Sequence, residues 1–219
     1  MTLPAVEEIC GLNRFQSLWQ RCLNEGAADA SAAIHQRMVN AYNEPQRHYH
    51  TLVHIDHCLS IFDQCKSLAT NPDALEIAVW FHDVIFEPGK PDNEARSAEL
   101  YQALSAQAHD TEFRELVGRL IMATLHDGRS LDDSDAGYMV DIDLSSFGLP
   151  WEDFWRDSQH LRKESADLSD AEYYRRQGDF QTCLLAKPRF YLTDFFCQRY
   201  EQQARNNLTR YFTQVDENS

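Results

Sequence analysis

The chain has 219 residues, 35 acidic against 20 basic, for a net charge of −15. Acid spread over the whole length argues against docking on a nucleic-acid polymer, because phosphate contacts need clustered Lys and Arg. A single small phosphate compound held through a metal stays compatible. Few glycines and prolines and no repeat or low-complexity linker predict one ordered domain, 1–219.

The predicted elements are helical from the start. Gly11 to Asn24 places Phe15, Leu18, Trp19 and Cys22 at helical spacing, and Ala30 to Tyr42 does the same with Ile34, Met38 and Ala41. Asn43-Glu44-Pro45 breaks the second helix, since Pro disfavours helix in the residue before it. Next comes RHYHTLVHIDHCLSIFDQC, with His48, His50, His54 and His57 inside ten residues. Ile55, Cys58, Leu59, Phe62 and Cys65 form its apolar stripe. At about 100° per residue His54 falls on the edge of that stripe and His57 roughly 60° further toward the polar side. His50 shares the face of His54 if the helix already includes it.

Asn71 and Pro72 are a start signal for a helix that is apolar nearly all round and expected to end near Glu87-Pro88-Gly89. Its run ALEIAVWFHDVIFEPG holds the adjacent pair His82-Asp83. An ionisable pair in such a run is costly to bury unless it is partnered or coordinates a metal. Imidazole nitrogen with carboxylate oxygen suits a first-row divalent ion. A bare His-Asp pair also fits a buried histidine bonded to backbone.

A helix of about Asn93 to Ala108 follows, then one capped by Thr111 that finishes around Thr124 to Asp127, with Gly128 as its stop. Tyr138 to Leu144 alternates acids with apolar residues and by itself reads as a solvated strand or turn. Pro150 opens a helix through Trp151, Phe154 and Leu161. Ser169-Asp170-Ala171-Glu172 is a capping-box pattern. The aromatics Phe190, Tyr191, Phe195, Phe196 and Tyr200 read as core. The fold class is all-α. The six cysteines show no CxxC pairing, and Cys58 and Cys65 sit at apolar positions as small hydrophobes. Without a leader pattern or a bilayer-length apolar run, the expected compartment is the cytoplasm, with no membrane partner.

His54, then His82-Asp83, then Asp143, in that order, resembles the HD-domain superfamily of metal-dependent phosphohydrolases. In that superfamily a first His, a His-Asp doublet and a final Asp hold a divalent ion inside a helical bundle. The segments RHYHTLVHI, WFHDVIF, DNEARSAEL, DIDLSSFG and ARNNL are similar to a bacterial group described as predicted metal-dependent HD phosphohydrolases, so the resemblance covers most of the chain.

The resemblance implies an HD-domain-like helical bundle with a buried metal site and His54, His82, Asp83 and Asp143 as ligands. Asp141 is the runner-up to Asp143, and His50 and His126 are candidates for additional ligands. The ion would be Mn, Mg, Co, Fe, Ni or Zn, and the substrate a small phosphorylated compound, a nucleotide among them, cleaved by metal-activated water. Asp83 is then ligand and proton acceptor, and Glu87, one helical turn on, a candidate base. Arg47, Lys90, Arg96 and Arg129 are cations that could meet a phosphate, each read singly as solvated. Two other classes fit the same residues: a di-iron HD-type oxygenase, and a metal-containing binding or signalling module without catalysis.

Overall fold

The computed structural model of the chain describes residues 11–127 and 133–217. Cys10, Gly128 and Arg129 lie outside the described residues. Those described form ten α-helices joined by turns, with no strand among them. No described helix is long and apolar enough to cross a membrane. The chain divides into two compact units, Met1–Met139 and Val140–Ser219.

The first unit is built around α4 (Pro72–Phe81). Ala74 to Phe81 are all buried, and Leu75, Trp80 and Phe81 have no exposure at all. A helix apolar on every side is stable only when neighbours cover every side. Those neighbours are α1 (Leu12–Arg21), α3 (Leu52–Cys65), α5 (Asn93–Ser105) and α6 (Thr111–Met122), while α2 (Ser31–Tyr42) packs on α1. Each large side chain fully buried in this way contributes about 1.5–3 kcal/mol. Phe15 of α1 meets the rings of Trp19, Trp80 and Phe81 at 5.6–6.3 Å. Gly11 precedes α1 with φ 74°, in the left-handed region, and a Cβ there would collide with the Trp80 indole. Glu76, the one acid buried in α4, pairs with Arg14 of α1, which also holds Asp63 of α3.

Several helix ends differ from their sequence signals. Asn71 makes no side-chain cap, and the Asp135 carboxylate takes the amides of Thr70 and Asn71 ahead of the helix, at 2.8 and 2.6 Å. Asp110 rather than Thr111 caps α6, accepting from the Phe113 amide at 2.8 Å. Helix α5 stops at Ser105, whose hydroxyl turns back onto the Tyr101 carbonyl at 2.8 Å. Tyr138 to Asp143, read from its alternation as strand or turn, belongs to helix α7 (Ser134–Asp143). Residues two apart are about 200° round a helix, so Asp141 and Asp143 face nearly opposite ways on α7, where on a strand they would share a face.

The second unit contains the 3-10 turn Leu144–Gly148, α8 (Trp151–Glu164), α9 (Asp170–Ala186) and α10 (Asp194–Glu217). Pro150 precedes α8, and the Ser169 hydroxyl caps α9 on the Glu172 amide at 3.3 Å. The ARNNL stretch is a clamp inside α10. Buried Asn207 donates to the carbonyls of Phe147 and Leu149, both at 2.8 Å. Arg205 donates to those of Leu185 and Lys187, at 3.0 and 2.9 Å. Ala204 and Leu208 are fully buried. Gly148 leaves room for Tyr200, whose Cβ would lie 2.7 Å from an added Cβ. Phe190 and Tyr191 are core, as read, but lie in the connection between α9 and α10.

Between α5 and α6, buried His109 shares a 2.9 Å hydrogen bond with the Tyr101 hydroxyl and packs on Trp19 with ring centroids 4.2 Å apart. Burial pushes its pKa down from 6.5 to about 4. Below pH 6.5 the unfolded chain takes up a proton that the folded chain refuses, so stability rises with pH in that window. We expect the stability owed to a neutral His109 to be complete above about pH 6.5 and to drain away as pH falls toward 4. Thermal melts across that range should show a slope in the wild type that is reduced in His109→Gln.

Candidate metal centre

Helix α3 opens at Leu52 because the Thr51 hydroxyl accepts from the Val53 amide at 3.3 Å. That start puts His54 in the first turn, on the inner side with Ile55, Cys58 and Leu59, all buried. His50 therefore precedes the helix instead of sharing the face of His54. Its ring stacks on Phe86, with centroids 4.1 Å apart. His57 is half-buried and His48 exposed.

Helix α4 ends at Phe81, short of the expected Glu87, so His82 is the residue that closes it. The carbonyls beyond that end find a side-chain partner. Arg47, only 1% exposed at its side chain, donates to the carbonyls of Asp83 at 2.7 Å and Val84 at 3.0 Å, and to that of His50 at 3.1 Å. A guanidinium has five donors in a fixed fork, enough to serve the Asp83 and Val84 carbonyls, the second of which has no helical donor because residue 88 is proline. Arg47 also packs over the rings of Tyr42 and Phe86, and Nε pairs with Glu44 at 3.1 Å. The sequence pattern alone suggests a solvated cation that could meet a phosphate. Instead it is a buried strut joining the chain ahead of α3 to the chain after α4.

Helix α5 holds the other side of the same turn. The Ser97 hydroxyl accepts from the Ile85 amide at 3.0 Å. Asn93 accepts from the Glu87 amide and donates to the Glu87 carbonyl, both at 3.0 Å. Arg96 pairs with the Glu87 carboxylate. The stretch DNEARSAEL thus supplies three side chains that fix the doublet's exit. Sequence periodicity gave no hint of these roles, since Asn93 and Ser97 are small polar residues at a helix start. Glu87 itself is exposed, as is Lys90.

The doublet meets His54 within the first unit. The two imidazole Nε2 atoms lie 3.2 Å apart. Asp83 Oδ2 is 3.1 Å from His82 Nε2 and 3.5 Å from His54 Nε2. His82 Nδ1 is 2.9 Å from the Val79 carbonyl. A carbonyl only accepts, so Nδ1 carries the proton, and a neutral His82 turns the lone pair of Nε2 toward His54 and Asp83. Such a lone pair is what a metal binds. The spacing also suits one: donors about 2.0–2.2 Å from a common ion sit roughly 3.0–3.4 Å from one another.

A fourth donor comes from α7. Asp143 is its last residue, and the ligand atoms of His54, His82, Asp83 and Asp143 all lie within 4.8 Å of one another. His54 and His82 are buried, and the two aspartates half-buried. Two nitrogens and two carboxylate oxygens form a donor set for a first-row divalent cation.

Asp141, the runner-up to Asp143, has different surroundings. Asp141 is fully buried and turned elsewhere on the helix, its carboxylate accepting the Leu192 and Thr193 amides at 2.8 and 2.7 Å. Burial raises its pKa to about 6, against the lowering by those two amides. His126 is half-buried and follows the 3-10 turn Ala123–Leu125 with φ 51°, the left-handed conformation expected of Gly128. His50, His126 and Asp141 all lie outside the group of four. No protein-family model, curated protein or solved structure matches the chain.

Replacing Arg47 removes three hydrogen bonds from a charged donor to buried or half-buried carbonyls. We expect Arg47→Met to lose about 3 kcal/mol or more of stability in urea unfolding. Arg47→Lys should recover little of it, because one ammonium cannot span the same carbonyls.

Proposed function

We propose that the chain is a metal-dependent phosphohydrolase of the HD type, acting on a small phosphorylated compound with a nucleotide in that class. The observation that carries this reading is the converging group His54, His82, Asp83 and Asp143. Its two imidazoles and two carboxylates fit Mn, Mg, Co, Fe, Ni or Zn. When bound, such an ion lowers the pKa of a water ligand and neutralises charge on a phosphoryl oxygen.

The chain's own residues set the conditions for that chemistry. The Val79 carbonyl fixes the tautomer of His82 and so keeps Nε2 available. Arg47 holds the backbone carbonyl of Asp83 and so restrains the direction in which the carboxylate leaves the chain. Four donors leave octahedral positions for water and substrate. Asp83 is the proton acceptor in this reading. Glu87 is a secondary base, and to act it has to leave its pairing with Arg96. His50 against Phe86 favours a single ion over the di-iron alternative, which draws on further histidines.

Purified protein should carry about one divalent ion per chain and, with Mn²⁺, Co²⁺ or Mg²⁺, hydrolyse phosphomonoesters or nucleotides. His82→Ala and Asp83→Ala should each remove both properties. The loss should exceed the roughly 10–100-fold that follows when only a ligand's supporting hydrogen bond is cut. Elemental analysis and a phosphate-release panel read the two together. Turnover that survives either substitution would place the chemistry elsewhere, and Glu87→Gln with full activity would remove that residue from the mechanism.

A further inference from the structure

Helix α7 holds three aspartates with distinct surroundings. Asp143 offers a ligand atom, while Asp135 and Asp141 are both fully buried and spend their carboxylates on backbone amides. Asp135 takes Thr70 and Asn71 at 2.8 and 2.6 Å, the residues that lead into α4. Asp141 takes Leu192 and Thr193 at 2.8 and 2.7 Å, the residues that lead into α10. In each case both carboxylate oxygens are engaged, one per amide. A buried carboxylate is costly, and here it is retained twice on one ten-residue helix.

We propose that Asp135 and Asp141 are positioning residues that set the roll and axial placement of α7, and thereby deliver the Asp143 carboxylate to the ligand group. The need follows from helix geometry. A carboxylate sits roughly 5 Å from the helix axis, so a roll of about 20° moves it by about 1.7 Å. Metal–ligand distances tolerate only about 0.2 Å. Apolar packing seats a helix but is non-directional, so it supplies no bond aimed at the roll of one carboxylate. A pair of amides fixed in the backbone, gripped by both oxygens of one carboxylate, restrains direction as well as distance. Asp141 lies about 200° and roughly 3 Å along the axis from Asp143, so holding one fixes the other. Asp135, near the opposite end, removes the remaining tilt. Its anchor precedes the helix that ends in His82, so two of the helices that bring ligands share one point of reference.

This rests on the metal reading above, and the test keeps the two apart. Metal-free protein is titrated with Co²⁺, followed by visible absorption and calorimetry, for wild type, Asp141→Asn, Asp135→Asn, Asp143→Ala and the double variant Asp141→Asn/Asp143→Ala. Asn offers one acceptor oxygen and turns an NH₂ toward an amide donor. We expect Asp141→Asn and Asp135→Asn to bind Co²⁺ about 10–100-fold more weakly and to change the absorption of the bound ion. Asp141→Asn should cost nothing further once Asp143 is gone, because its effect passes through that residue. A purely structural role predicts lower melting temperatures with unchanged Co²⁺ affinity and spectrum, and that result overturns the proposal. So does an Asp141→Asn penalty of full size in the Asp143→Ala background. If Asp141→Asn does not fold, Asp135→Asn carries the same decision. Wild type that binds no Co²⁺ would defeat the metal reading itself, whatever the variants do.

Discussion

A helix without a polar face has to be enclosed, and enclosing α4 is the constraint from which the first unit follows. Its neighbours α1, α3, α5 and α6 cover it with the stripes that their own periodicity provides. Trp80 and Phe81 are then anchored among aromatic rings. The residues directly after them, His82 and Asp83, leave the helix at a point fixed by the core. An ionisable pair carried on so rigid a stem has little freedom of position, which is the condition a metal site requires.

The same enclosure creates a polar problem at the end of α4. Carbonyls of the last turn lack partners within the helix, and water has little access to them. Arg47 answers for Asp83 and Val84, the Tyr42 hydroxyl for Trp80 at 2.9 Å, and His82 Nδ1 for Val79. The last of these also decides which imidazole nitrogen faces His54. Satisfying the backbone and preparing a ligand are accomplished by one hydrogen bond. Arg47 likewise serves packing and geometry together, since its guanidinium lies against Tyr42 and Phe86 while it holds three carbonyls.

Most helices were legible because periodicity is a local property. Phe15, Leu18 and Trp19, or Leu116, Val117, Leu120 and Ile121, reveal a buried face wherever their helix is placed. The capping box at Ser169 was legible for the same reason. The end of α4 was not, because Val84, Ile85 and Phe86 continue an apolar run that does not betray a change of backbone. The group that takes the Asp83 carbonyl beyond that end is Arg47, 36 residues earlier in the chain. The contact that holds the approach to α4 was hidden for the same reason, since the carboxylate that takes the Asn71 amide belongs to Asp135, 64 residues on.

By itself, the sequence determined that the chain is helical and which faces are buried; it was a resemblance that joined His54, His82, Asp83 and one of two nearby aspartates as candidates for a common ion. Tertiary structure placed Asp143 in the group of four and Asp141 on the Leu192 and Thr193 amides, left His50 against Phe86, and made Arg47 a buried strut. The physical reason is the reach of each interaction. Hydrophobic periodicity repeats within a few residues, whereas the partner of a buried carbonyl, amide or carboxylate is whichever group the packing of distant helices brings to it.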